Sequence, residues 1–296
     1  MATCSHASGH LGRIMLVPFL IMLREGIEAA LIVGIIASYL RQTGRGQWMP
    51  AVWIGVFLAV ALSLLVGAGL EVMSREFPQK QQELFEAIVG LAAVVMLSAM
   101  VLWMRKMARS IKHDLHASLE AALAGSRHQA WALIGMVFFA VAREGLETVF
   151  FLLAVFQQSS GAAAPLGALL GLVAAVLVGL ALYSGSLRLN LGQFFRWTGL
   201  FILVVAAGIL ANAVQALHEA GVWNLLQGVV FDTSHVLPAD GPTGSVLAGM
   251  FGYQDTPTVS TLGAYLLYLT AALVLFFWPA SANPTSSNTA HRQGPA

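Results

Sequence analysis

Residues 17–40 read VPFLIMLREGIEAALIVGIIASYL, and residues 130–156 read AWALIGMVFFAVAREGLETVFFLLAVF. Both stretches are apolar and long enough to cross a bilayer as a helix. Each carries the same charged motif, Arg24-Glu25-Gly26-Ile27-Glu28 in the first and Arg143-Glu144-Gly145-Leu146-Glu147 in the second. A charge at the centre of a membrane helix costs about 2.5–3.5 kcal/mol on insertion scales, so three cost on the order of 8–10. About twenty Leu, Ile, Phe or Val residues, at roughly 0.3–0.6 kcal/mol each, only just offset that. A chain that carries this load twice uses it, and the motifs define a functional site.

The rest of the chain agrees with a membrane setting. Of its 296 residues 58% are hydrophobic and 10% charged, with mean hydropathy +0.77. Soluble domains carry about 25% charged residues, so the composition is that of an all-α integral membrane protein. The net charge is +1 and the basic residues are scattered over loops, which leaves no nucleic-acid footprint. Cys4 is the only cysteine, so disulfides and thiolate metal clusters are excluded. Residues 1–14 are polar and lack the apolar core of a signal peptide. They read as a disordered extension ahead of a credible start at Met15, and His6 and His10 within it as parts of a floppy tail.

Seven spans are expected, near 17–40, 51–72, 84–104, 130–156, 165–187, 197–217 and 260–279, in a seven-helix membrane domain 15–280 followed by a tail 281–296. Lys and Arg set the direction. Arg41, Arg45, Arg105, Lys106, Arg109, Lys112, Arg127, Arg188, Arg196 and Arg292 fall on one side, against Arg13, Arg75 and Lys80 on the other. The imbalance places the N-terminus outside and the C-terminus in the cytoplasm. Segment 105–129, with His113, His116 and His128, reads as a cytoplasmic amphipathic helix. The outer connection 218–259 has no Lys or Arg, and it reads either as an acidic mouth that concentrates cations or as a polar loop obeying the positive-inside rule.

The two motifs lie in spans 1 and 4, which run in opposite directions. The expected architecture is therefore a 3+3 inverted repeat plus one helix, with a site where the repeats meet near the membrane midplane. In span 5, Gly167, Gly171, Ala175 and Gly179 make one smooth face for close helix packing. The remaining Met and Phe residues read as lipid-facing or packing positions.

On a helix, Glu25 and Glu28 share a face, and Arg24 pairs with Glu28 four residues on. Gly26 and Gly145 remove side chains and let a neighbouring helix approach. Together the motifs hold four carboxylates and two guanidiniums, a charge of −2 that requires a cation, protons or water. Oxygen-rich, sulfur-free ligands suit hard cations such as Mg, Ca, Mn and iron. The expected metal ligands are Glu25, Glu28, Glu144 and Glu147, with Arg24 and Arg143 orienting them and balancing the empty site; the alternative is two buried ion-pair networks that only specify helix packing. Glu83 and Glu86, together with His218 and Glu219, are candidates for a gateway at the outer helix ends, where Glu71 and Glu76 also lie close. No nucleotide-binding motif and no haem or flavin site is evident.

The paired Arg-Glu-Gly-x-Glu motifs resemble those of the oxidase-dependent iron transporter family, which includes fungal high-affinity iron permeases. The stretches VPFLIMLREG, EFPQK, ELFEA, WALIGMVFFAVAREGLE, FFLLAVFQQ, RLNLG, HEAG and FGYQ extend the resemblance over nearly the whole chain. It implies a seven-span inner-membrane permease, not an enzyme, that moves Fe2+, or Fe3+ after external oxidation, into the cytoplasm. The four motif glutamates correspond to the iron-translocating carboxylates. It also implies iron as substrate with no tightly bound cofactor, and periplasmic partners: an iron-binding protein and a haem peroxidase. The alternatives are a permease for another cation such as Mn or Pb, a membrane metal sensor, and a di-iron oxidase. The last usually needs Glu-x-x-His pairs, which no span contains.

Overall fold

The computed structural model describes residues 15–76, 78–107, 129–157, 163–184, 190–239 and 241–278. The expected N-terminal extension, the tail, and the amphipathic segment from 108 to 128 with its three histidines lie outside the described residues.

The described residues are mainly helical, and a helix satisfies its own backbone hydrogen bonds where a bilayer supplies no water. Seven long helices are α1 (Leu16–Gln42), α2 (Met49–Glu76), α3 (Gln79–Met107), α4 (Gln129–Gln157), α5 (Ala163–Tyr183), α6 (Leu191–Glu219) and α8 (Val259–Phe277). A ten-residue helix, α7 (Pro242–Phe251), precedes the last. Five of the long helices, α2, α3, α5, α6 and α8, are long and apolar enough to cross a membrane. The other two, α1 with 27 residues and α4 with 29, are the ones that carry the charged motifs. The protein is a multi-pass membrane protein. Its helix ends follow local rules: Thr258 and Thr261 form a capping box on α8, and Asn190 caps α6 through the Gln193 amide.

Helix contacts reproduce the expected repeat. α1 packs on α5 and α4 packs on α2, while α3 packs on α6 and α1 on α4. Exchanging α1-α2-α3 for α4-α5-α6 leaves this pairing unchanged. Directions follow from the close approaches. Gly167 of α5 meets Met15, Gly171 meets Phe19, Ala175 meets Gly26, and Gly179 meets Ala30, so α5 runs parallel to α1. Likewise Gly55, Ser63 and Gly67 of α2 meet Ile134, Gly145 and Val149 of α4, so those two are parallel. Ile36 and Leu40 of α1 share a buried cluster with Leu133 and Val137 of α4, whereas Glu25 meets Glu147, so α1 and α4 are antiparallel. The small-residue face of span 5 is what lets α5 lie so close along α1. α3 and α6 form the buried centre, and α2, α5 and α8 turn most of their surface outward.

The 218–259 connection is more than a loop. Gly252, in the left-handed conformation (φ 66°), ends α7 and lies against Gly208 of α6; a Cβ on Gly208 would sit 2.6 Å from the Gly252 nitrogen. Gly208 is about 16 Å along α6 from Glu219 at 1.5 Å per residue. The segment therefore folds back down the helix bundle, and Gln254 Nε2 donates to Asn212 Oδ1 of α6 at 3.2 Å.

Candidate metal site

The two motifs meet where α1 crosses α4. One carboxylate oxygen from each of Glu25, Glu144 and Glu147 lies within 4.8 Å of the others. Two oxygens on one cation at about 2.1 Å from it span at most about 4.2 Å, so a small contraction closes this cluster on an ion. Glu25 lies about 14 Å along α1 from Leu16 at 1.5 Å per residue, inside the span.

Glu28 is not part of that trio. Its Oε1 lies 3.4 Å from Arg24 Nη2, on the same helix, and Arg24 Nη1 is 3.4 Å from Glu25 Oε1. The Arg24 and Glu25 side chains are 1% and 2% exposed, and Arg24 is the largest fully buried side chain. Its shortest polar contacts are to sulfur: Nη1 donates to Met100 Sδ at 3.0 Å and Nη2 to Met104 Sδ at 3.1 Å. Among the described residues, Arg24 Nε, Glu25 Oε2 and Glu28 Oε1 are buried without a hydrogen-bond partner. The second arginine differs. Arg143 is half exposed, donates from Nε to Glu147 Oε1 at 3.0 Å, and holds its guanidinium 5.1 Å from the centre of the Trp103 ring.

Both motif glycines stand at close helix crossings. A Cβ on Gly26 would lie 2.5 Å from the Ala175 methyl, and one on Gly145 would overlap the Ser63 hydroxyl. The glycines thus bring α5 and α2 against the backs of the two motifs, which fixes the height at which the carboxylates meet.

A second acidic group lies two turns beyond Glu147. Glu83 and Glu86 of α3 and Glu219 of α6 line one cavity of about 260 Å³ with Gln157 of α4 and Asn212. Glu83 lies within hydrogen-bonding reach of Glu219, while Gln215 Nε2 donates to Glu219 at 2.9 Å. Gln157 Nε2 is buried and unpartnered among the described residues. His218 is not in this cavity; its Nε2 is 3.1 Å from the Ser260 hydroxyl, where it ties α6 to α8. The acids of the following connection serve the backbone. Asp232 accepts from the Ser234 amide at 2.9 Å and hydroxyl at 2.6 Å, which hold its carboxylate below the usual range. Asp255 accepts from the Ala239 amide at 3.2 Å.

Met100 and Met104 are the contacts that sequence reasoning passed over. They are four residues apart on one face of α3 and buried, and no local sequence signal marks them as partners of Arg24.

A bundle with inverted repeats and a buried carboxylate cluster at the crossing defines the class of membrane permeases. Within that class, the Iron permease FTR1 family model matches residues 15–285, and the chain belongs to that family. It is 56% identical over 279 residues to the "Ferrous iron permease EfeU" of Yersinia pestis, covering 94% of this chain and 99% of that one. The protein of the same name from Escherichia coli O157:H7 is 56% identical over 276 residues, covering 93% of this chain and all of that one. These relatives are permeases, not enzymes. No solved structure matches.

Proposed function

We propose that this protein carries ferrous iron across the inner membrane, from the outside to the cytoplasm, through the carboxylates of the paired motifs. The observation that carries the reading is the convergence of Glu25, Glu144 and Glu147 from two antiparallel helices. Carboxylate oxygens favour hard and borderline cations. With all four motif glutamates ionised and both arginines charged, the site carries a net charge of −2. A divalent ion brings that to zero, whereas Fe3+ leaves a buried surplus of +1. The names of the relatives agree with the ferrous form.

Two cavities support a route. Beyond Glu147, α4 leads to the cavity of Glu83, Glu86 and Glu219, which we assign as the outer gateway. Beyond Glu28, α1 leads the opposite way to a cavity of about 310 Å³ between α1 and α5, with Ser38, Tyr39, Gln42 and Tyr183 in its wall. Because α1 and α4 are antiparallel, these cavities lie on opposite sides of the cluster. Phe151, fully buried on α4 between Glu147 and Ala154, stands in the apolar layer with Val17, Ile21 and Leu97. That layer separates gateway from cluster and must part for an ion to pass.

Arginine stays protonated at all relevant pH. Arg143, paired with Glu147, therefore holds that rotamer, and both arginines offset the charge of the empty site without touching the metal. Purified protein in liposomes tests the reading: Fe2+ should accumulate inside under reducing conditions, above protein-free vesicles and above Fe3+. Absence of flux with intact, folded protein would make it a sensor, and oxygen consumption with Fe2+ would make it an oxidase.

A further inference from the structure

Arg24 is a buried cation beside two carboxylates, and the ordinary outcome is a two-pronged ion pair near 2.7–2.9 Å. That does not form here. Both carboxylate contacts of Arg24 are 3.4 Å, while its two terminal nitrogens point to the thioethers of Met100 and Met104 at 3.0 and 3.1 Å. Thioether sulfur is a weak acceptor. It occupies an N–H without neutralising the guanidinium, so the charge stays in the site while the fork lies nearer sulfur than carboxylate, keeping only a long hydrogen bond from Nη1 to Glu25 Oε1 at 3.4 Å. The consequence is visible on the other side: Glu25 Oε2 and Glu28 Oε1 are left without a hydrogen bond among the described residues. The equivalent arginine of the second motif lies over the Trp103 ring and closes on Glu147 at 3.0 Å.

We propose that Met100 and Met104 are positioning residues that hold Arg24 off the carboxylates and so keep Glu25 open to the cation. The inference rests on the carboxylate cluster being the cation site of the proposed permease. Replacing the sulfurs by hydrocarbon of similar volume frees two buried donors, and the guanidinium then turns onto Glu25 or Glu28 and competes with the metal. Replacing them by an amide keeps an acceptor at the same reach.

The test compares the pair Met100→Leu/Met104→Leu with the pair Met100→Gln/Met104→Gln in the full-length protein. Mn2+ alone is titrated and followed by EPR in detergent, and Fe2+ uptake is measured in liposomes. The Leu pair should bind Mn2+ at least about fivefold more weakly and raise KM for Fe2+ by a similar factor, with kcat within about twofold. The Gln pair should stay within about twofold of wild type in both. A packing role gives the reverse, because leucine preserves volume and apolarity and glutamine does not. Wild-type affinity in the Leu pair, or a Gln pair as weak as the Leu pair, overturns the proposal. Where a double variant does not fold, Met104→Leu and Met104→Gln are compared by the same criterion. Failure of the wild type to take up Fe2+ would overturn the permease reading, while the Mn2+ comparison would still decide the role of the methionines.

Discussion

The two motifs share Arg, Glu, Gly and Glu at the same spacing, yet their surroundings differ sharply. In α1 the arginine is sealed in the bundle and held by sulfur, with both its carboxylates at 3.4 Å. In α4 the arginine is half exposed, pairs with Glu147 at 3.0 Å and stacks on Trp103. An inverted repeat supplies two equivalent helices but not two equivalent sites, since α3 offers sulfur to one arginine and an indole ring to the other. Met100, Trp103 and Met104 lie within five residues of that helix and serve both motifs. The contrast lies in the arginines, Arg24 sealed and Arg143 half exposed, whereas Glu28 and Glu147 are alike at 13% exposure.

The largest effect should separate the arginines. Arg24→Ala removes the buried cation beside the buried Glu25 and the partly buried Glu28, and breaking a buried pair costs about 3–5 kcal/mol. Thermal unfolding in detergent should therefore fall well below that of Arg143→Ala, whose residue is half exposed. Equal stability of the two variants would erase the contrast. Next come the glutamates. Glu25→Gln, Glu144→Gln and Glu147→Gln should each lower Fe2+ uptake at least about thirtyfold, roughly 2 kcal/mol, with membrane levels unchanged. Glu28→Gln should cost less, because Glu28 sits outside the trio and beside Arg24. A Glu28 variant as inactive as the others would make the site a symmetric quartet.

The glycines sharpen the comparison further. Gly26→Ala sets methyl against the Ala175 methyl, where neither can turn aside, whereas at Gly145 the Ser63 hydroxyl can rotate. Overpacking of this kind costs typically about 1–3 kcal/mol, and Gly26→Ala should lie higher in that range than Gly145→Ala. Ala175→Gly should restore the first, a rescue that no general helix-propensity effect would give. The smallest effect is Trp103→Leu, which should loosen Arg143 by about 0.5–1 kcal/mol, read as a modest rise in KM. A loss in stability comparable to Arg24→Ala would show that Arg143 is buried in the membrane-bound protein.

Much of this was legible in the chain. The charge cost of residues 24–28 and 143–147 marks the site, and their placement in spans 1 and 4 gives the antiparallel crossing. The four-residue spacing of Gly167, Gly171, Ala175 and Gly179 gives the face that α1 occupies. What was not legible depends on long-range partners. Nothing near Met100 says that its sulfur faces Arg24 across 76 residues of sequence. Glu83 and Glu219 converge only because α3 and α6 are antiparallel neighbours, while His218, next in the chain, turns to Ser260. The depth of α7 is likewise hidden, because it is set by a glycine-on-glycine contact between Gly208 and Gly252, far apart in sequence.

The central claim is that the two motifs build one cation site. A double-mutant cycle on Fe2+ affinity, with Glu25→Gln in one motif and Glu147→Gln in the other, tests it most directly. If both glutamates hold the same ion, each single variant loses most of the affinity and the double variant is at most about threefold worse than the weaker single. If the losses multiply in full, the motifs act independently, and a shared site between α1 and α4 is contradicted.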